Sequence, residues 1–205
     1  MATLTASGRV LLVDLHGDAV RAVQGSMVAY TGSVDFAGAG AGGGDGLRAA
    51  LRRKVAGESL ALMACSGTGR VHLAVDARSV TVVDLAADTL SVESGSVLAV
   101  GPGLTLGVAF AGLGGAMAGQ GVATTTVTGT GQVAVLSDGP MIALEVGPGQ
   151  PLVVDPDAFV ASTGRLSTSV VSGVSWRSVV GEGSGEAFSM RFDGSGVVCI
   201  QPAER

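Results

Sequence analysis

The stretch VLLVDL at residues 10–15 has two similar counterparts further along the chain. Residues 80–85 are VTVVDL, and residues 141–146 are MIALEV, with a glutamate in the acidic position. Short runs of aliphatic and β-branched residues that end at a turn are typical of β-strands. The sequence therefore predicts one strand-rich unit that is present in three copies.

Each of these stretches is followed by a second shared element. The element is GSMVA at residues 25–29, GSVLA at residues 95–99 and DAFVA at residues 157–161. Further along each copy, the tetrapeptides SGTG, TGTG and DGSG begin at positions 66, 128 and 193. Paired glycines supply the positive φ angles that tight hairpins need, so the sequence predicts a tight turn at each of these three places.

The predicted architecture is all-β, with three pseudo-equivalent antiparallel β-units in a single domain over residues 1–205. The internal repeats are placed at about 8–77, 78–138 and 139–202. One unit of about 65 residues buries too little apolar surface to be robust alone. We therefore expect the units to pack around a pseudo-threefold axis, as a short double-stranded β-helix or β-prism-like structure.

The first copy carries an insertion that the other copies have only in shorter form. Residues 37–46 are nearly all glycine and alanine, and the residues after them place Leu47, Leu51 and Val55 at helical spacing. This pattern predicts a short amphipathic helix in the first unit. The basic side chains of this segment are interpreted as a solvated helix face or as a contact for a partner. They are Arg48, Arg52, Arg53 and Lys54.

Charge and hydropathy bound the classes of partner. The net charge is −5, charged residues make up 14% of the chain, and Lys54 is its one lysine. Nucleic-acid binding draws much of its affinity from cations on phosphates, so a nucleic-acid partner is disfavoured. The uncharged stretch Ser94–Ser137 is interrupted by glycines and a proline, which argues against a transmembrane span and leaves peripheral membrane association open. With no signal peptide visible, we expect a cytoplasmic protein.

No arrangement of residues in the sequence predicts catalysis. His16 lies in a predicted turn, and alternation places His72 on the outward face of a predicted strand whose other face carries Val71 and Leu73. Both histidines are interpreted as solvated, since neither has a second ligand at metal-binding spacing. Cys65 and Cys199 lie in apolar, strand-like runs. The acidic residues Asp14, Asp84 and Glu145 recur just before turns and are interpreted as structural. We therefore expect no catalytic residue, no bound cofactor and no metal site, and hence no enzymatic activity.

An ordered set of elements resembles a known family. GSMVAY at residues 25–30, the glycine run that leads into GLR at 46–48, GESL at 57–60 and the later TGTG element occur together. In this the chain is similar to the altered-inheritance-of-mitochondria family of mitochondrial biogenesis proteins and their bacterial relatives. The resemblance implies a triplicated β-fold similar to the ring subunits of the tryptophan-attenuation protein, and it implies oligomerisation. It implies no catalytic residues.

Two functional hypotheses follow from the sequence and the resemblance. The first is a non-enzymatic, self-associating scaffold or assembly protein of the bacterial cytoplasm, a homo-oligomer that also has room for an unknown protein partner. The alternative is a small-ligand or RNA-binding module of the tryptophan-attenuation-protein type, with its ligand in a crevice between units.

Overall fold

The computed structural model of the chain describes residues 1–39, 60–111, 122–172 and 188–202. Alternation of apolar and polar side chains places these segments in antiparallel strands. The strands are β1 (Thr3–Ser7), β2 (Val10–Val23), β3 (Met27–Ala39), β4 (Leu62–Leu73), β5 (Ser79–Glu93), β6 (Val97–Val100), β7 (Leu104–Ala111), β8 (Val122–Ser137), β9 (Ile142–Val146), β10 (Leu152–Val154), β11 (Phe159–Ser172) and β12 (Phe188–Ile200). Short 3₁₀ turns at Ser94–Ser96 and Pro156–Ala158 precede β6 and β11.

The strands of the described residues belong to one antiparallel sheet. Along its main path the order is β10-β12-β11-β5-β8-β6-β2-β4-β3, while β1 pairs with β2, β7 with β8 and β9 with β12. Strands β3 and β10 therefore lie at opposite ends of the path. The all-β, antiparallel class predicted from the sequence is confirmed.

The strands from β2 onward fall into three consecutive groups, which we call modules, and each group is built around one long central strand. The first module consists of β2 to β4, the second of β5 to β8 and the third of β9 to β12. In each module the central strand (β4, β8 or β12) comes last in the sequence and lies between two flanking strands that precede it in the chain. The repeat boundaries and the single domain proposed from the sequence stay predictions.

The glycine pairs that were expected to form tight turns lie in the middle of the central strands, so that prediction is wrong. A Cβ atom on Gly69 would stand 2.1 Å from the carbonyl oxygen of Thr31, and one on Gly194 would stand 2.2 Å from that of Arg165. Both glycines have positive φ angles, 155° and 125°. The glycines are therefore required because neighbouring backbones approach closely, and the chain does not reverse there.

Each module contributes most of one hydrophobic cluster, and residues of the following module enter the first and the second cluster. Strand β6 of the second module places Leu98 and Ala99 in the first cluster. Strand β11 of the third module places Val160 and Ala161 in the second cluster. The third cluster, around Phe192, receives no such strand from the residues that the structure describes. The modules are thus joined in series: the second is anchored in the core of the first, and the third in the core of the second.

Two further expectations concern helices. The helix predicted from Leu47 to Val55 lies outside the described residues. Within the described part of the chain, none of the helices has the length and apolar character needed to cross a membrane.

Candidate functional site

The basic cluster proposed as a partner contact lies outside the described residues. It consists of Arg48, Arg52, Arg53 and Lys54. It therefore remains a prediction, and the candidate surface must be sought among the residues whose placement is described.

The acidic residues that recur along the sequence lie on flanking strands and differ in what they contact. The turns predicted just after Asp14 and Asp84 are wrong, because both residues lie inside long strands, β2 and β5. Asp14 accepts a hydrogen bond from Nε of Arg70 at 2.7 Å, across the β2–β4 pair. At the matching place Asp84 accepts one from the Gln132 amide at 3.0 Å. The Arg70 hydrogen bond holds the pKa of Asp14 below its ordinary value, so this carboxylate stays ionised. These two side chains tie strands together at the surface.

The two histidines lie in different environments. His16 is exposed, as expected from the sequence, but it lies inside β2 and not in the predicted turn. His72, which was expected on a solvated strand face, is half-buried on β4, and its buried Nδ1 atom has no hydrogen-bond partner among the described residues. The alternation around it is as predicted, since Val71 and Leu73 are buried. Among the described residues, no three His, Cys, Asp or Glu side chains are grouped so as to hold a metal ion.

Both cysteines behave as small apolar residues. Cys65 is buried in the first cluster, and burial raises the pKa of its thiol to about 11. Cys199 packs against the second cluster, and burial raises the pKa of its thiol as well. Thiols that stay protonated are poor nucleophiles and poor metal ligands, so these cysteines contribute packing.

Large apolar side chains are exposed where β3 begins. Met27, Val28 and Tyr30 all reach the surface there, and the Tyr30 ring contacts the ring of Phe36 edge-on, with centroids 5.2 Å apart. Within the described residues β3 pairs with β4 alone, so the backbone groups on its other side have no strand partner. We call Met27, Val28 and Tyr30 the head surface.

A second apolar surface lies on the third module, at the other end of the strand order. Val153 of β10 and Ile142 of β9 are both exposed. Strand β10 pairs with β12 alone among the described residues. We call β10, residues Leu152–Val154, the tail strand. Exposed apolar residues on unpaired strand edges are a recognised template for pairing with another chain.

The sequence analysis identified the segment that carries the head surface but did not predict that its apolar side chains are exposed. GSMVAY was used as a family feature and as a copy of GSVLA and DAFVA. The available signal was Tyr30, since an aromatic residue stands where the other copies have Val100 and Ser162. Alone, that signal does not distinguish an exposed tyrosine from a buried one.

The fold defines a class: an antiparallel β protein of serially joined modules, with exposed apolar residues on two strands whose outer edges are unpaired among the described residues. Comparison with known proteins makes this more specific. The chain belongs to the mitochondrial biogenesis AIM24 family, whose family model matches residues 2–203. This confirms the resemblance found in the sequence.

A solved structure shares the fold. The crystal structure of protein SPYM3_0169 from Streptococcus pyogenes superposes with a TM-score of 0.74 at 24% sequence identity, covering 100% of this chain and 94% of that one. At this identity the likeness shows the fold alone. No curated protein matches the chain.

Proposed function

We propose that this member of the AIM24 family is a non-enzymatic, self-associating assembly protein of the bacterial cytoplasm. The observation that carries the proposal is the head surface, where Met27, Val28 and Tyr30 are exposed on a strand with one unpaired edge among the described residues. Burial of such side chains against another chain is favourable by roughly 25 cal/mol per Å² of apolar surface. The same contact gives the open backbone groups of β3 hydrogen-bond partners.

The non-enzymatic part of the proposal is supported by what the polar side chains contact. Asp14 and Asp84 are engaged with Arg70 and Gln132 on neighbouring strands. Arg78 connects two segments: its Nε lies 2.8 Å from Asp138, and its other nitrogens donate to Gly95 O and Ser96 Oγ in the 3₁₀ turn before β6. These groups hold strands and the segments between them together, which is a structural use of charge.

The test of self-association is sedimentation velocity over a concentration series. We expect the average mass to rise with concentration up to about 100 μM, where an interface with a micromolar Kd is saturated. A strictly monomeric species throughout that range would contradict the proposal. Native mass spectrometry of protein purified gently from its host then reports what else is bound. Added protein mass supports an assembly role, whereas stoichiometric RNA or a metabolite contradicts it.

A further inference from the structure

A β-bulge marks the same position in three strands. In β3 the register with β4 passes from Met27–Leu73 to Ala29–His72, which leaves Val28 as the extra residue. In β6 the extra residue is Leu98, between Val97 and Ala99. In β11 it is Val160, between Phe159 and Ala161. A bulge changes the direction of the side chain of its extra residue, so the same local feature orients all three of these side chains.

Two of the three bulge residues enter the core of the preceding module. Leu98 is 0% exposed and belongs to the first cluster, and Val160 is 0% exposed and belongs to the second. Val28 is 59% exposed. The strand that carries Val28 belongs to the first module, so the described residues contain no earlier module to receive it.

The strands next to the two buried bulges pair in one consistent register. Ala99 pairs with Ala22, and Ala161 pairs with Val92. In each case the following residue of the inserted strand pairs with the preceding residue of the receiving strand, Val100 with Arg21 and Ser162 with Ser91. Both junctions are antiparallel, and both place the receiving strand beside the cluster that the bulge enters.

The tail strand offers the same receiving position in the third module. Leu152 pairs with Phe192 of β12, as Val20 pairs with Cys65 and Leu90 with Val127 in the other modules. By this alignment Val154 stands where Ala22 and Val92 stand, and Val153 stands where Arg21 and Ser91 stand. Val154 is buried in the third cluster, while Val153 is 53% exposed and has no inserted strand against it among the described residues.

We propose that the chain joins a second copy of itself head to tail, by repeating the junction that already connects its own modules. Val28 of one copy enters the third cluster of the next, around Phe192. Residues 29–31 pair antiparallel with the tail strand of that copy, so that Ala29 faces Val154 and Tyr30 faces Val153. The proposal deepens the self-association proposed above and rests on it, since it names the two surfaces that associate.

A second copy is the occupant that the chain's own architecture selects. The head surface carries a bulge residue like those that are inserted at the two internal junctions. The tail strand matches the strands that receive them there. These two surfaces lie at opposite ends of the strand path, and within the described residues they do not pair with each other. Because the two surfaces differ, the contact is heterologous, so a head-to-tail dimer keeps one free head and one free tail at which the assembly can extend.

The test uses one substitution at each end and then mixes the variants. Val28→Asp places a charge where an apolar cluster should receive a side chain. Val153→Glu places an acidic side chain where the internal junction has Arg21, which donates to a backbone carbonyl oxygen, and a carboxylate cannot make that bond. Each variant alone should associate at least about 100-fold more weakly than the unsubstituted chain, because a charge without a partner would lie in the contact. Thr5→Asp and Thr5→Glu, at an exposed site on β1, are the matched controls and should change the midpoint of association by no more than about twofold.

An equimolar mixture of the two variants separates head-to-tail contact from any symmetric contact. The Val28→Asp copy keeps an intact tail and the Val153→Glu copy an intact head, so the mixture should form a 1:1 dimer and nothing larger. If Val153→Glu self-associates alone as the unsubstituted chain does, the tail strand is not part of the contact and the proposal is overturned. Because both substituted side chains are exposed in the single chain, near-ultraviolet circular dichroism should show folded protein for each variant.

Register is tested by disulfide formation between a Tyr30→Cys copy and a Val153→Cys copy. Facing residues of an antiparallel pair lie within disulfide distance, so mass spectrometry should identify a disulfide-linked peptide pair that joins position 30 of one copy to position 153 of the other. A Thr5→Cys copy should not cross-link to the Val153→Cys copy. If both substitutions placed in one chain yield a disulfide-linked monomer, the chain closes on itself and the proposal fails.

The outcomes also separate this inference from the proposed function. If the unsubstituted chain remains monomeric, self-association itself fails. If it associates and both end variants associate equally well, self-association stands and the head-to-tail contact is wrong.

Discussion

Leu98 and Val28 occupy the same position of two similar strands, yet one is fully buried and the other is exposed. Leu98 follows Val97 in β6, and Val28 follows Met27 in β3. Each is the extra residue of a bulge in a strand that pairs with a central strand. Leu98 belongs to the hydrophobic cluster of the first module, whereas Val28 has no module before it among the described residues. The difference teaches that burial here is set by a module's place in the series, and that the series is open at its first member.

The largest effect should come from shortening the buried member of this pair. Leu98→Ala should lower the free energy of unfolding by about 2–5 kcal/mol, through lost apolar burial and the cavity left behind. Val28→Ala should change it by no more than about 0.5 kcal/mol in dilute solution, where copies are separate. Urea unfolding at low protein concentration measures both. Equal losses would show that Val28 is as buried as Leu98 and would break the comparison.

The second effect concerns a feature that the modules have in common. Gly69→Ala forces a Cβ atom to within 2.1 Å of a carbonyl oxygen. An unfavourable backbone conformation alone costs about 1–3 kcal/mol, and the collision adds to that, so the free energy of unfolding should fall by more than this amount. Gly194→Ala in the third module should cost a similar amount. Gly8→Ala is the control: φ is also positive there, but no heavy atom lies within 4 Å of the added Cβ. A small, equal cost at all three positions would mean that the backbones do not cross closely.

A smaller effect is expected at the polar contact between the first two modules. Arg21 donates from Nη2 to the carbonyl oxygen of Leu104 at 2.6 Å. Arg21→Met should cost about 1–2 kcal/mol, because a charge-assisted hydrogen bond is lost. Faster hydrogen exchange of the amides of β6 would localise the loss to this junction. Arg165→Met, at an exposed arginine, is the control. Unchanged exchange in β6 would mean that Arg21 does not secure the junction.

The smallest effect belongs to the surface pair that joins Asp14 to Arg70 in the first module. Since the hydrogen bond from Arg70 lowers the pKa of Asp14, the pair stabilises the fold above the ordinary aspartate pKa of 3.8, and this contribution is lost as pH falls through the lowered value. Asp14→Asn should therefore lower the urea midpoint slightly at pH 7, and the gap should close towards pH 3. Exposed pairs contribute little. A gap that widened on acidification would contradict this assignment.

Much of the fold could be predicted, whereas the candidate surface could not. Alternation around Val71 and Leu73 correctly predicted a strand with one buried face. The glycine pairs were assigned to turns because local sequence shows a need for unusual backbone angles and does not show its cause. The cause at Gly69 is the backbone of Thr31, which comes from another strand. The basic cluster at Arg48 to Lys54, the one surface that was predicted, lies outside the described residues.

By itself the sequence determined the all-β class, the family and the similarity of the three elements at residues 25–29, 95–99 and 157–161. These properties follow from patterns of side-chain chemistry over a few residues, which are local. Only the tertiary structure decided that Leu98 and Val160 are buried and that Val28 is exposed. Burial depends on what a distant part of the chain places beside a residue, and for Val28 the chain places nothing there that the described residues show.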